Sequence, residues 1–247
     1  MLRGLYSSAT GMITQYKKID VLGNNISNIN TDGYKRDDLS LKSFDEEITT
    51  RMTDNVPVGS LSDGVAVNVV STDYTQGSME QTFRDTDLGI SGDGFFAVEA
   101  SPGGGGVKYT RDGNFSVDPG GFLALSSGER LLDKSGQPVK TGGDSFTAAS
   151  DGTLTLGGVT LGNISLYGPT GPNGIAKRTD GFFYITAPAV SKGKIMQGYI
   201  EGSNVNAVDE MSGMMQASRS FQSCQQAFQV NSDTLDKLIN QVGSLRS

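Results

Sequence analysis

The sequence contains no histidine and no tryptophan, and it has one cysteine. Without histidine it lacks the commonest metal ligand and the commonest general base. A lone Cys224 cannot close an internal disulfide or build a thiolate metal site. Inside a long helical stretch it reads as a small helix residue. No run of eighteen apolar residues occurs, which argues against a membrane span. The first residues carry Arg3 but neither a continuous apolar segment nor a small-residue cleavage signal, so no cleaved secretory signal is expected. Basic charge is also scarce: the net charge is −7 and the pI is near 4.6. That balance speaks against nucleic acid as a partner. No metal, cofactor or catalytic set is predicted. Paired carboxylates such as Asp85 with Asp87 and Asp112 with Asp118 lack the aromatic or imidazole context of a hydrolase site.

What is present begins at the two ends. From Val205 to Val242 the chain reads as one helix of roughly 55 Å. With Met211 as position a of a heptad, the a and d positions are Met211, Met214, Ser218, Phe221, Gln225, Phe228, Ser232, Leu235, Ile239 and Val242. Seven of these ten are apolar, in the narrow stripe of a coiled-coil strand. A helix this long with a half-polar seam needs a partner. The first thirty residues repeat the spacing with Leu2, Leu5, Ala9, Met12, Tyr16 and Ile19. The simplest geometry pairs the two ends as a helical hairpin whose connection is the rest of the protein.

Between them the composition changes. The asparagine-rich stretch Asn24, Asn25, Asn28 and Asn30, followed by Asp32-Gly33, fits a helix end and turn. Residues 36–75 form a mixed connecting segment, with an extended arm over Thr53–Asp63 and a strand signal at Val65, Val67 and Val69. Residues 76–198 are rich in glycine, part of a total of 34 in the chain, and carry four of the six Asp-Gly pairs. Asp-Gly between apolar runs signals hairpins. Strands are predicted at Phe95–Glu99, Val107–Thr110, Phe115–Val117, Phe122–Leu125, Thr153–Leu156, Ile164–Tyr167 and Phe182–Thr186. No helix-period run interrupts them, so this region is expected to be an antiparallel sandwich or barrel-like domain. The run Pro102–Gly106 lacks the Gly-Lys-Ser/Thr ending of a phosphate loop and reads as a hairpin tip. The fold class is therefore α+β, divided into residues 1–35 (N-terminal helix), 36–75 (arm), 76–198 (β domain) and 199–247 (C-terminal helix).

Four stretches carry a resemblance: LRGLYSSATG from Leu2, LGNNISNINTDGYKR from Leu22, GDGFFAVEASPGGGGVKYTRDGNFSVDPGGFL from Gly92, and QGYIEGSNVNAVDEMSGMMQASRSFQS from Gln197. They resemble, in order, signature blocks of the axial proteins of the bacterial flagellum, in the rod and hook group. The length and the stretch before Gly92 are most similar to the distal rod form, with a proximal rod subunit as the alternative. The resemblance implies an inner layer of terminal helices and an outer β domain. It implies polymerisation of copies into a tubular drive shaft that transmits torque and leaves an export channel. The implied partners are further copies of the chain, other rod and hook proteins, the flagellar type III export apparatus, and ring or bushing proteins. The implied location is the basal body outside the cytoplasmic membrane.

On that reading the subunit interface comprises the seam residues Leu2, Leu5, Ala9, Met12, Tyr16, Ile19, Met211, Met214, Phe221, Phe228, Leu235 and Ile239. Asn24, Asn25, Asn28, Asn204 and Asn206 have two readings: bonding to backbone at a helix terminus, or bonding across subunits. Tyr109 and Arg111 likewise serve either β-domain packing or contact with a neighbouring β domain. The alternatives from other classes are a cell-wall-cleaving enzyme, an export or capping factor, and a secreted adhesin.

Overall fold

A computed structural model describes residues 2–43, 47–50, 57–61, 64–100, 106–143, 145–171, 174–178 and 181–244. The chain divides into two compact units. One holds residues 1–27, 37–73 and 206–247; the other holds 28–36 and 74–205.

The first unit contains both helices, α1 (Leu2–Ser27) and α2 (Ala207–Ser244). α2 starts where Asn206 caps it: its Oδ1 accepts the Val208 N–H at 3.0 Å, and Asp209 and Glu210 lie in the first, dipole-positive turn. Beside the helices, strand Asp37–Ser43 pairs antiparallel with Val65–Thr72, setting Leu39 opposite Val70 and Leu41 opposite Val67. Glu47–Thr50 pairs with Pro57–Leu61. The stretch expected to be an extended arm therefore contains an antiparallel ribbon, and the strand signalled at Val65, Val67 and Val69 is Val65–Thr72. The other strands are short, and each ladder has a register shift. The rest of the expected arm, residues 53–56 and 62–63, lies outside the described residues, as do residues 101–105 of the glycine-rich run.

The second unit is antiparallel β throughout, as its turn-rich composition predicts. Its largest sheet has six strands in the order Ile175–Lys177, Phe183–Ile185, Val107–Thr110, Phe95–Glu99, Leu166–Pro169, Pro188–Val190. Phe95–Glu99 is covered on both faces. Phe96 and Val98 enter one core with Leu88, Ile90, Phe115 and Leu123. Phe95 and Ala97 enter another with Tyr109, Leu132 and Phe183. Period-two alternation thus produces two cores rather than one buried and one wet face. Asp151-Gly152 joins the paired strands Thr147–Ala148 and Thr153–Leu156, as a hairpin should. Asp112-Gly113 does not. The strands flanking it, Val107–Thr110 and Phe115–Val117, pair with other partners, and Gly113 O accepts the Leu88 N–H at 3.0 Å. A Cβ at Gly113 would lie 1.9 Å from Leu88 O, so glycine is there for close backbone approach.

Candidate assembly surface

Four glycines of α1 and α2 lie against side chains of the other helix. A Cβ at Gly11 would lie 3.0 Å from Cys224 Sγ, and one at Gly4 would lie 3.2 Å from Asn231 Nδ2. A Cβ at Gly213 would sit 3.5 Å from Leu22 Cδ2, and one at Gly23 would sit 3.9 Å from Met214 Cε. Ala217 and Thr14 are buried on the same faces. Thr14 satisfies its hydroxyl on Gly11 O, at 2.8 Å, within its own helix. The partners fall in reversed order along the two helices.

This seam uses small and polar side chains, so much of the larger apolar surface is left outside. Ile13 is 61% exposed, Tyr16 63%, Met211 52%, Met215 59% and Ile239 67%. Tyr6, Val208, Phe228, Val230 and Leu238 are exposed as well. Of the residues predicted to form an interface, Leu5, Ala9, Met12, Ile19, Met214, Phe221 and Leu235 are half-buried, and Tyr16, Met211, Phe228 and Ile239 are exposed. The side chains of Leu2 and of Val242, the last of the a and d positions, lie outside the described residues.

The asparagines divide. Asn25 is fully buried: its Nδ2 donates to Asp37 O at 2.8 Å and to Glu210 Oε2 at 3.1 Å, and its Oδ1 accepts the Asp37 N–H at 3.0 Å. One amide thereby joins α1, α2 and the first ribbon strand. Asn204 accepts the Arg36 N–H at 2.8 Å and donates to Thr75 O at 3.2 Å. Asn206 is the α2 cap. Asn24 is exposed and Asn28 half-buried, with Asn28 O accepting the Thr31 N–H at 3.2 Å.

Sequence reasoning singled out Arg111 but missed Glu201 and Lys35, with which it forms the polar centre of the second unit. Glu201, Lys35 and Arg111 are all buried. Glu201 Oε1 takes Lys35 Nζ at 2.5 Å and the Gly77 N–H at 2.9 Å, and Oε2 takes Arg111 Nη1 at 2.8 Å. Glu201 O also accepts the Gly33 N–H at 2.7 Å. Burial pushes the carboxyl up. The Arg111 charge and the hydrogen bonds from Lys35 and Gly77 outweigh it and hold Glu201 below the usual range. The segment that follows α1 is thereby fastened to the strand that precedes α2. Tyr109 packs in the second core, edge-on to Tyr167. Among the described residues no group of three or more His, Cys, Asp or Glu could hold a metal ion, and no helix is long and apolar enough to cross a membrane.

Comparison with known proteins accounts for the same stretches. Residues 5–35 match the model of the flagella basal body rod protein, residues 89–156 that of the flagellar hook protein FlgE/F/G D1 domain, and residues 196–241 that of the flagellar basal body rod FlgEFG protein C-terminal region. The chain is 34% identical to the flagellar basal-body rod protein FlgF of Caulobacter vibrioides, covering 90% of this chain and 91% of that one. It is 30% identical to the flagellar basal-body rod protein FlgG of Bacillus subtilis, over 97% and 99%. It is 28% identical to the flagellar hook-basal body complex protein FlhO of the same organism, over 99% and 100%.

Proposed function

Because the chain belongs to the flagellar basal-body rod protein family, we propose that it is a distal rod subunit whose terminal helices pair as a coiled-coil-like hairpin and polymerise into the rod. As a rod subunit the protein is structural. The supporting observation is the inside-out distribution of its helices. Small residues occupy the seam between them, while Ile13, Tyr16, Met211, Met215 and Ile239 face outward. Burying such surface contributes about 25 cal/mol per Å² removed from water. Methionines adapt to non-identical neighbours along different lattice directions. Relatives named FlgG recur among the comparisons and favour the distal position. The 34% identity to a FlgF protein favours a proximal subunit as the second reading. Export through the flagellar type III apparatus and contact with ring proteins belong to the same reading.

The test separates folding from assembly. Ile13→Asp and Met215→Asp alter side chains that are already in water in a single copy. Each variant is expected to melt within a few degrees of the unaltered protein, yet to be absent from purified basal bodies and to leave cells non-motile. Normal incorporation of both would remove the outward face from the account.

A further inference from the structure

We propose that the C-terminal end of α2 docks on the outward face of α1 of a second copy, around Ile13, Tyr16 and Lys17. The proposal rests on the rod-subunit reading and assigns two halves of one contact within it.

Three observations converge. The first is an overhang. Gly4 lies against Asn231, and only Leu2 and Arg3 precede Gly4 in α1, whereas α2 continues thirteen residues past Asn231 to Ser244. At about 1.5 Å per residue, some 20 Å of α2 extends beyond the level of Gly4. The second is matched apolar surface. The overhang carries exposed Leu238 and Ile239, and the middle of α1 carries exposed Ile13 and Tyr16. The third is charge. α1 has three basic residues, Arg3, Lys17 and Lys18, against one acidic residue, Asp20. The overhang of α2 has two acidic residues, Asp233 and Asp236, against one basic residue, Lys237. On the overhang, Asp236 shares a face with Ile239 at i, i+3; on α1, Lys17 shares a face with Ile13 at i, i+4, and Asp20 lies one turn further. Opposite charge beside an apolar contact fixes register and rejects wrong pairings.

The two patches differ, so a contact between them is head-to-tail. It leaves a free patch at each end of any chain of copies and extends without closing. One copy cannot satisfy it alone. Ile13 lies two residues beyond Gly11, which faces Cys224, so it is level with about residue 222 of α2. Ile239 is then about 25 Å further along. That is far beyond the roughly 7 Å Cα separation a disulfide can bridge.

The experiment uses full-length protein in the bacterium that makes it, with the chromosomal copy deleted and Cys224→Ser as the background. Copies carrying Ile13→Cys and Ile239→Cys together are oxidised in assembled basal bodies and resolved without reductant. The expected result is a ladder of covalent oligomers that collapses to monomer on reduction. It should be absent when Ile239→Cys is present alone. Rods that assemble without a ladder overturn the pairing and leave the rod reading intact. Basal bodies lacking this chain even when unaltered overturn both. Should the cysteine variants fail to assemble, the charge exchange decides. Lys17→Asp and Asp236→Lys should each lose rod incorporation, and their combination should regain it; no recovery in the combination overturns the pairing.

Discussion

Lys35 Nζ and Glu201 Oε1 stand 2.5 Å apart, with both side chains wholly out of solvent, and Arg111 closes on the other carboxylate oxygen at 2.8 Å. Two cations share one anion. Removing the anion is therefore expected to be the most damaging single change, because it leaves both buried cations with carbonyl partners but no counter-charge. Glu201→Gln is expected to cost about 3–5 kcal/mol. Lys35→Met leaves the Arg111–Glu201 pair in place and is expected to cost less. Urea unfolding monitored in the β unit measures both. A smaller loss for Glu201→Gln than for Lys35→Met would show that the carboxylate is not the centre of the cluster.

The same carboxyl makes stability sensitive to acid. Its folded-state pKa lies below the unfolded value, so the stability it contributes is present above the unfolded pKa and is lost as pH falls through the folded value. Unfolding on acidification should therefore be shallower in Glu201→Gln, once its lower starting stability is subtracted. Stability profiles of the two proteins from pH 5 to pH 2 provide the comparison. Parallel profiles would assign the acid sensitivity elsewhere.

Those expectations could not come from sequence alone, and the reason is physical. Lys35 and Glu201 are 166 residues apart, and nothing local marks either as buried. The helices were legible because a 3.5-residue apolar period survives any tertiary context. The same period could not tell which neighbour covers it. It marks Leu5, Met12, Phe221 and Leu235 as needing cover, while Gly4, Gly11, Gly23 and Gly213 lie against side chains of the other helix. Glycine and cysteine contribute little to a hydrophobic pattern, so that seam was invisible. The strands Phe95–Glu99, Val107–Thr110, Phe115–Val117 and Thr153–Leu156 were read to the residue. Of the ribbon Asp37–Thr72 only the strand at Val65–Val69 was read, and the ladders are interrupted by register shifts at Ser40/Leu41 and Thr49/Thr50.

The glycine seam makes its own prediction. Glycine inside a helix costs about 1 kcal/mol relative to alanine, so Gly11→Ala would stabilise an isolated α1. In the pair, its Cβ would press on Cys224 Sγ at 3.0 Å. Gly11→Ala should therefore be neutral or mildly destabilising, and Gly11→Leu should prevent α1 from seating. Adding Cys224→Ala to Gly11→Ala removes the sulfur, leaves Cβ at an ordinary 3.9 Å and should recover the propensity gain. Circular dichroism at 222 nm during thermal unfolding follows the helices, and motility reports their use. Full motility with Gly11→Leu would mean that the two helices need not approach this closely.

Asp112 works in the opposite sense to Glu201. Burial pushes its carboxyl up to about 6; the Asn114 N–H, accepted at 2.9 Å, partly opposes this, and the charges of Asp32 and Asp87 reinforce it. Asp87 brings no relief, since its buried Oδ1 has no hydrogen-bond partner and Arg84 Nη1 stands 3.7 Å away. The Asp32-Gly33 turn lies against the Arg111 and Asp112 backbone, where a Cβ at Gly33 would come within 2.4 Å. A folded pKa above the unfolded 3.8 means that this group's contribution is fully present below about pH 4 and is lost as pH rises through about 6. Asp112→Asn fixes the uncharged form and keeps an oxygen for the Asn114 N–H. It should leave stability near pH 4 unchanged and raise it above pH 6.5 by on the order of 2 kcal/mol. Melting temperatures of the two proteins should therefore diverge between about pH 4 and pH 6 and run parallel above that. Curves that stay parallel from pH 4 to pH 7 would show that Asp112 is already charged in the folded protein and that its neighbours tolerate the charge.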